Sequence, residues 1–250
     1  MIFPIGSVEK RHSSQDLNSY KLIEESFNES KVRLFEKMEA FPRFASKRSV
    51  ARFLCKSEIF KKIIDVNGAV IECGVFNGAG LFTWGHLTNI YEPTNYNRKI
   101  IGFDTFEGFP GVTENDANND KKFKAGDLKG DSYDAISLSV EKYNQERHLR
   151  HIPNIELVKG DFNIEAPNFL KKNPHMLISL LYLDFDLYEP TKKALEIFMP
   201  RMCKGAIICF DELNCSNFPG ETLAMLEMLD MRSSKINRFH IDPWISYIQL

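Results

Sequence analysis

Short apolar runs alternate with longer amphipathic segments from residue 46 to the end of the chain. Five of the runs predict strands, over residues 69–73, 99–103, 154–158, 176–183 and 205–210. The run over 176–183 is almost wholly apolar, which is typical of a parallel strand covered on both faces. The amphipathic segments predict helices over residues 48–65, 80–90, 133–148, 190–202 and 220–232. This alternation predicts an open α/β sheet with right-handed crossovers.

The end of the chain departs from this alternation. The apolar runs 237–241 and 244–250 are separated only by Asp242 and Pro243, which is too little for a helical crossover. The two runs are therefore predicted to pair antiparallel, as a hairpin that closes one edge of the sheet. The predicted fold is an open, mostly parallel, seven-stranded Rossmann-like sheet with helices on both faces and an antiparallel final hairpin.

The first 45 residues have a different pattern from the rest. Apolar residues between Leu17 and Met38 recur at loosely helical spacing among many charged ones. We interpret residues 1–45 as an N-terminal helical cap that packs on the core or on a partner subunit, and residues 46–250 as one domain. The polar stretch 107–131 is predicted to be a long loop, and loops of this length within compact domains are usually functional or mobile.

Composition and charge exclude several classes of protein. Lys plus Arg is 32 and Asp plus Glu is 34, so a strongly basic nucleic-acid binder is excluded. No stretch approaches the apolar length of a membrane-spanning helix, and the N-terminus lacks the pattern of a secretory signal. The five cysteines are odd in number and show no C-x-x-C spacing, which favours buried thiols over disulfides or zinc. The sequence predicts a cytoplasmic protein with neither membrane nor nucleic-acid partners.

The first predicted strand runs into three glycines, at positions 74, 78 and 80, before a helix begins. Their spacing, G-x-x-x-G-x-G, is neither the dinucleotide pattern nor a P-loop. Ligands of open α/β sheets bind at the carboxyl ends of strands near the switch point. The acidic Glu72 there would suit a cationic ligand, such as an ammonium or a sulfonium. The alternative is an ordinary tight turn.

Acidic residues also end the next two predicted strands. Asp104 is placed to accept hydrogen bonds from a ribose diol, or else to cap a helix. Asp161 could accept from an adenine amino group while Phe162 packs on the ring, or else Asp161 belongs to a simple turn. Glu, Asp and Asp at three successive strand ends together favour a nucleoside site.

Four further carboxylates follow the last two parallel strands. Asp184 and Asp186 end one strand, and Asp211 and Glu212 end the next. Adjacent strands lie about 4.8 Å apart, so these acids should converge at one rim of the sheet. The repulsion between these like charges must be offset by bound protons or by a cation. Carboxylate oxygens are suitable ligands for Mg²⁺, Ca²⁺ or Mn²⁺. The alternative is that one or two of them cap the following helices, with Asp186 the best placed to do so.

The motifs resemble one known family. The order E-C-G-V-x-x-G, F-D-T-F-E-G-F-P-G, G-D-F, L-D-x-D-L-Y-E-P-T, D-E and P-G is similar to the macrocin O-methyltransferase (TylF-like) family, over roughly residues 48 to 250. These are class I S-adenosylmethionine-dependent enzymes that methylate sugar hydroxyls of natural products. Two departures stand out. The family usually has Asp-Asp where this chain has Asp211-Glu212, and often a Trp and a basic residue where it has Phe76 and Asn77.

The resemblance implies a role for each matching residue. Glu72 and Gly74 are the implied residues for the methionine part of the cofactor. Asp104 and Phe106 of the second motif are also implied to bind the cofactor, with Asp104 on the ribose. Asp161 and Phe162 are the implied residues for the adenine. The implied ligands of a divalent metal, usually Mg²⁺, are Asp184, Asp211 and Glu212. Asp186 is the implied general base.

These roles predict a metal-dependent O-methyltransferase whose acceptor is a sugar or another small polyhydroxylated molecule. A bound cation lowers the pKa of a coordinated hydroxyl, and a nearby carboxylate takes its proton. Loop 107–131 would be a lid, and residues 1–45 would help to shape the acceptor pocket. The alternatives are a metal-independent small-molecule methyltransferase and a non-catalytic S-adenosylmethionine-binding subunit. A homo-oligomer, by default a dimer, is expected.

Overall fold

The structure is a computed structural model that describes residues 14–117 and 123–250. Its contacts divide the chain into a first compact unit that ends at Leu54 and a second unit over Cys55–Leu250. No helix in these described ranges is long and apolar enough to cross a membrane.

The first unit is helical, as its spacing predicts. It contains α1 (Ser14–Glu29), α2 (Leu34–Glu39), α3 (Phe41–Phe44) and the first turns of α4 (Lys47–Ile63). The periodic segment is interrupted after Glu29, and α2 begins where the Glu36 carboxylate accepts the backbone N–H of Arg33 at 3.0 Å. That carboxylate supplies a partner for an N–H group that a helix start leaves unpaired. The part of the predicted cap before residue 14 lies outside the described residues.

The second unit is built on a seven-stranded sheet. Its strands are β1 (Ala69–Cys73), β2 (Ile100–Asp104), β3 (Ile155–Lys159), β4 (Ile178–Leu183), β5 (Met202–Phe210), β6 (Asn237–Arg238) and β7 (Ser246–Gln249). Their order is β3-β2-β1-β4-β5-β7-β6. The first five are mutually parallel, whereas β7 pairs antiparallel with both β5 and β6. The predicted fold class is confirmed.

Within the described residues, five α-helices of the second unit lie between these strands. They are α5 (Ala79–Tyr91), α6 (Tyr133–Glu146), α7 (Phe162–Lys172), α8 (Tyr188–Phe198) and α9 (Pro219–Met228). Helix α7 was not among the predicted helices, because Pro167 lies inside it and proline usually ends a helix. The helix forms because Phe162, Ala166 and Phe169 recur at helical spacing and are buried in the core.

The final hairpin is shorter than its apolar runs predict. Strand β6 has two residues and β7 has four. The connection is longer than Asp242-Pro243 because the Asp242 side chain accepts hydrogen bonds from the backbone of Trp244 at 2.8 Å and of Ile245 at 3.3 Å. Such local bonds to an aspartate favour a turn over a strand.

Hydrophobic residues fill both faces of the sheet. One buried cluster contains Val70, Leu180 and Ile207 with residues of α4, α5 and α6. The other contains Ile71, Leu181 and Ile208 with residues of α7, α8 and α9. Consecutive strand residues therefore point to opposite faces, as expected of a fully covered sheet. Because β1 leads to β2 on one side and β4 lies on the other, the carboxyl ends of β1 and β4 form the topological switch point.

A buried arginine ties the opposite end of the sheet together. Arg98, which is 2% exposed, forms an ion pair with Glu92, with its Nε 2.8 Å from a carboxylate oxygen. The guanidinium also donates to the Ser179 hydroxyl and to the backbone carbonyls of Ile63, Ile64, Val66 and Gly68. This network links the end of α4, the end of α5 and the entry of β1 and β4.

Candidate active site

The loop after β1 is held in an unusual backbone conformation. Gly74, Phe76 and Gly78 all have positive φ angles, of 94°, 50° and 81°. A Cβ on Gly74 would lie 2.0 Å from the carbonyl oxygen of Asp184, at the end of β4. Only glycine allows so close an approach of two backbones. The glycine loop and the end of β4 are therefore in direct contact at the switch point.

Glu72 lies beneath this loop. Its side chain is 1% exposed, and one carboxylate oxygen lies so close to Gly80 that a Cβ there would be 1.7 Å away. Burial raises the pKa of Glu72 to about 8, against the opposing attraction of Lys56. Glu72, predicted at the methionine part of the cofactor, therefore lies behind the loop and packs against Gly80 in the first turn of α5.

The raised pKa of Glu72 predicts a pH-dependent stability. The folded state keeps the Glu72 proton between about pH 4.5 and 8, whereas the unfolded chain releases it, so stability falls as pH rises through that window. Glu72→Gln removes about one proton of this dependence, or about 1.4 kcal/mol per pH unit. Urea unfolding at several pH values between 5 and 8 measures it. The exposed Glu196→Gln is the control, and equal slopes in wild type and Glu72→Gln would contradict the assignment.

Asp104 bonds to the backbone of the loops beside it. Its Oδ2 accepts the N–H groups of Val75 at 2.7 Å and Phe76 at 2.8 Å, and its Oδ1 accepts that of Phe106 at 2.6 Å. The half-buried carboxylate thus holds the glycine loop and the following turn in place. The Phe106 ring is buried and meets Tyr133 edge-on, with centroids 5.3 Å apart.

The two residues predicted at the adenine site also have partners within the protein. Asp161 caps α7 by accepting the backbone N–H of Asn163 at 2.9 Å. The Phe162 ring is buried among aromatic neighbours, 5.2 Å from Phe103 and 4.8 Å from Phe185 between centroids. Asp161 therefore caps a helix, which neither the adenine-site prediction nor the simple-turn alternative described, and Phe162 has a core position.

The acids after β4 and β5 meet at one rim of the sheet, as predicted. Asp184 donates its N–H to the carbonyl of Cys73 at 2.9 Å, and Asp211 donates its N–H to that of Leu183 at 2.9 Å. Asp184 and Asp186 are half-buried, whereas Asp211 and Glu212 are buried. The chain does not stay extended after Asp184, because Asp186 has a φ of 61°. The N-cap residue of α8 is Leu187 rather than Asp186, which corrects the alternative that Asp186 caps the following helix.

A fifth acid, Glu221, joins this cluster. It lies in the first turn of α9 and is fully buried, and its Oε2 accepts the backbone N–H of Glu212 at 3.2 Å. Burial and the charges of Asp186, Asp184 and Asp211 raise its pKa well above the usual range. Burial and the charge of Asp186 also raise the pKa of Glu212 well above its usual range. The motif that suggested this region ends at Pro219-Gly220, so Glu221 was not predicted as a site residue. Its signal in the sequence is no more than an acid nine residues after Glu212.

The donor set suits a hard divalent cation in its chemistry. Glu212 Oε2 and Glu221 Oε1 are buried without hydrogen-bond partners, beside three other carboxylates. Such a cluster of oxygens costs free energy unless protons or a cation compensate its charge. Within residues 14–117 and 123–250, however, no three His, Cys, Asp or Glu side chains are arranged so that they could hold a metal ion together.

The described parts of loop 107–131 pack beside the acid cluster. Asp116 is buried, and its Oδ1 accepts the N–H of Tyr188 at the start of α8, at 2.6 Å. Asp116 thus gives the first backbone N–H of this helix a side-chain partner. The ring of Phe123 stacks on Phe218, with centroids 5.0 Å apart. Part of the predicted lid, residues 118–122, lies outside the described residues.

The described residues combine three features: a parallel sheet with an antiparallel β7 beside β5, a glycine loop after β1, and acids at the ends of β4 and β5. Together these features define the S-adenosylmethionine-dependent methyltransferase class that the motifs imply. The family model described as Macrocin-O-methyltransferase (TylF) matches residues 28–247. The chain belongs to this family of O-methyltransferases, and the resemblance drawn from the sequence is confirmed.

Solved structures and a curated relative agree with this assignment. The crystal structure of CalS11, calicheamicin methyltransferase, has a TM-score of 0.89 and 30% identity, over 95% of this chain and 93% of that one. An apo structure of CalS11, titled TDP-rhamnose 3'-O-methyltransferase, has a TM-score of 0.82 and 29% identity, over 95% of both chains. The O-methyltransferase NovP shares the fold, with a TM-score of 0.63 and 19% identity over 80% of this chain and 79% of its own.

The curated relative is 8-demethyl-8-(2,3-dimethoxy-alpha-L-rhamnosyl)-tetracenomycin-C 4'-O-methyltransferase of Streptomyces olivaceus. It is 27% identical over 147 residues, which are 59% of this chain. The match spans 53%, or about half, of the length of that relative.

Proposed function

We propose that this protein transfers the methyl group of S-adenosylmethionine to a hydroxyl of a sugar, free or attached to a natural product, with the help of a divalent cation. The contact between Gly74 and Asp184 carries the proposal, because it puts the glycine loop and the acid cluster side by side. The names of CalS11 and of the tetracenomycin enzyme both describe methylation of a rhamnose unit, which supports a deoxysugar-like acceptor.

The residues around the glycine loop would hold the cofactor. When bound, S-adenosylmethionine supplies an electrophilic methyl group on a sulfonium. Asp104 fixes the backbone of the loop through Val75 and Phe76, so that the loop presents a rigid surface to its ligand. Such preorganisation holds donor and acceptor in line without an ordering cost at the moment of reaction.

The acid cluster would hold the cation. We assign Asp184 and Asp211 as ligands and Glu212 as a third, because they follow the neighbouring strands β4 and β5. Their carboxylates are not arranged around one point in this structure, so they would have to move together around the cation. When bound, Mg²⁺ would supply positive charge that lowers the pKa of the acceptor hydroxyl. The buried, unpartnered Oε2 of Glu212 supports its place in this set.

Asp186 would accept the proton of the acceptor hydroxyl. Asp186 is half-buried, and its positive φ turns the chain away from the extended direction of β4. The hydroxyl proton would move to the Asp186 carboxylate, while the hydroxyl oxygen would take the methyl group and the carbon–sulfur bond electrons would stay on sulfur. The products are a methyl ether and the neutral thioether of the cofactor.

Chelation tests the metal half of this function. EDTA is expected to abolish turnover of a TDP-deoxysugar or a rhamnoside, because the cation would no longer activate the hydroxyl. Calorimetry should show S-adenosylhomocysteine binding unchanged in EDTA, and Mg²⁺ in excess should restore turnover. Turnover that is insensitive both to EDTA and to Asp211→Asn would identify a metal-independent methyltransferase. Cofactor binding without turnover of any acceptor would identify a non-catalytic subunit.

A further inference from the structure

A row of residues on one face of the sheet connects the glycine loop with the acid cluster. In the register of the parallel strands Glu72 lies beside Tyr182, and Tyr182 lies beside Cys209. Asp211 comes two residues after Cys209, and side chains two apart on an extended chain share a face. Tyr182 is fully buried, and its hydroxyl donates a hydrogen bond to Oδ1 of Asp211.

A lysine of α4 covers the same row. Lys56 is 5% exposed, and its ammonium lies 3.4 Å from the centroid of the Tyr182 ring and 5.2 Å from that of Trp84. An ammonium over aromatic faces is attracted by their negative quadrupoles, and more strongly when water is excluded. The charge of Lys56 also offsets that of Glu72. The proposed reaction uses neither Lys56 nor Tyr182.

We propose that Lys56 and Tyr182 are positioning residues for Asp211. The Lys56 ammonium holds the Tyr182 ring from α4, and the hydroxyl of that ring fixes one oxygen of the Asp211 carboxylate, so that Asp211 is oriented for the cation. This inference rests on the proposed function, because it assigns an outer layer to the proposed cation site. Partners that orient metal ligands typically change metal affinity 10- to 100-fold when they are removed.

Direct metal binding by the full-length protein tests this role without measuring turnover. Mn²⁺ is titrated calorimetrically into wild type, Tyr182→Phe and Lys56→Met, each saturated with S-adenosylhomocysteine. Tyr182→Phe keeps the ring and removes only the donor, so we expect Mn²⁺ affinity to fall about tenfold. Lys56→Met should weaken it in the same direction. The double variant should lose less than the product of the two changes, because both act through one carboxylate.

Matched variants separate positioning from stability. Tyr143→Phe also removes the hydroxyl of a buried tyrosine, one that donates to the carbonyl of Gly85, and Lys61→Met removes an exposed lysine of α4. Both controls should bind Mn²⁺ as wild type does. If Tyr182→Phe also binds Mn²⁺ with wild-type affinity, the inference is overturned, whatever its melting temperature. The Tyr182→Phe result decides the matter even if Lys56→Met does not fold. Wild type that binds no Mn²⁺ overturns the metal half of the proposed function and this inference together.

Discussion

Replacing Asp186 with asparagine is expected to lower kcat by about 10²- to 10⁴-fold, the usual contribution of a general base. The variant keeps the shape of the side chain but cannot take the hydroxyl proton. Asparagine is also a sound choice for the backbone, because Asp186 has a φ of 61° and asparagine adopts this left-handed region more readily than most residues. Initial rates of S-adenosylhomocysteine formation at saturating acceptor measure the change.

The accompanying measurements show whether the loss is chemical. Affinity for S-adenosylhomocysteine and the melting temperature should stay close to the wild-type values. Glu189→Gln, an exposed change in the first turn of α8, is the control and should keep wild-type kcat. A kcat of Asp186→Asn within about threefold of wild type would remove Asp186 from the proposed reaction and leave proton transfer to solvent or to another acid.

Replacing Arg98 with methionine is expected to cost about 3–5 kcal/mol of unfolding free energy, the range for removing one partner of a buried ion pair. The change leaves the Glu92 carboxylate without its guanidinium, at a site where Arg98 is 2% exposed. It also leaves several buried acceptors unpaired, among them the carbonyls of Val66 and Gly68. Urea unfolding at pH 7, followed by circular dichroism, gives the free energy.

An exposed pair supplies the comparison for Arg98. Lys193 and Glu196 lie 3.0 Å apart on α8, with side chains 33% and 58% exposed. Pairs of this kind at a protein surface are worth about 0.2–1 kcal/mol. Lys193→Met should therefore change stability much less than Arg98→Met. A loss of under 1 kcal/mol in Arg98→Met would mean that water or neighbouring groups replace the guanidinium in the variant.

The strands and the acid positions could be predicted because apolar runs of strand length are followed directly by acids such as Asp104, Asp184 and Asp211. The partners of those acids could not. Asp104 and Asp161 each accept backbone N–H groups, and these groups become available only when the loops around them have folded. A carboxylate at a strand end looks the same in sequence whether it binds a ligand or a loop.

Two of the features that escaped prediction, helix α7 and the burial of Glu221, have tertiary causes. Helix α7 forms despite Pro167 because three of its residues, among them Phe162, are buried against the sheet, and packing outweighs the loss of one helical hydrogen bond. Glu221 lies in a first helical turn, where carboxylates are usually solvated and favoured by the helix dipole. Its complete burial depends on the approach of α9 to the residues after β5, which the local sequence does not encode.

The closeness of Gly74 to Asp184 constrains how the protein can evolve. With only 2.0 Å available for a Cβ, any side chain at position 74 would push the end of β4 and shift the first acid of the cluster. Changes at this glycine, in the proposed methyl-donor pocket, would therefore disturb the proposed acceptor side as well. Divergence toward new sugars is expected to proceed through more distant loops, with this junction left untouched.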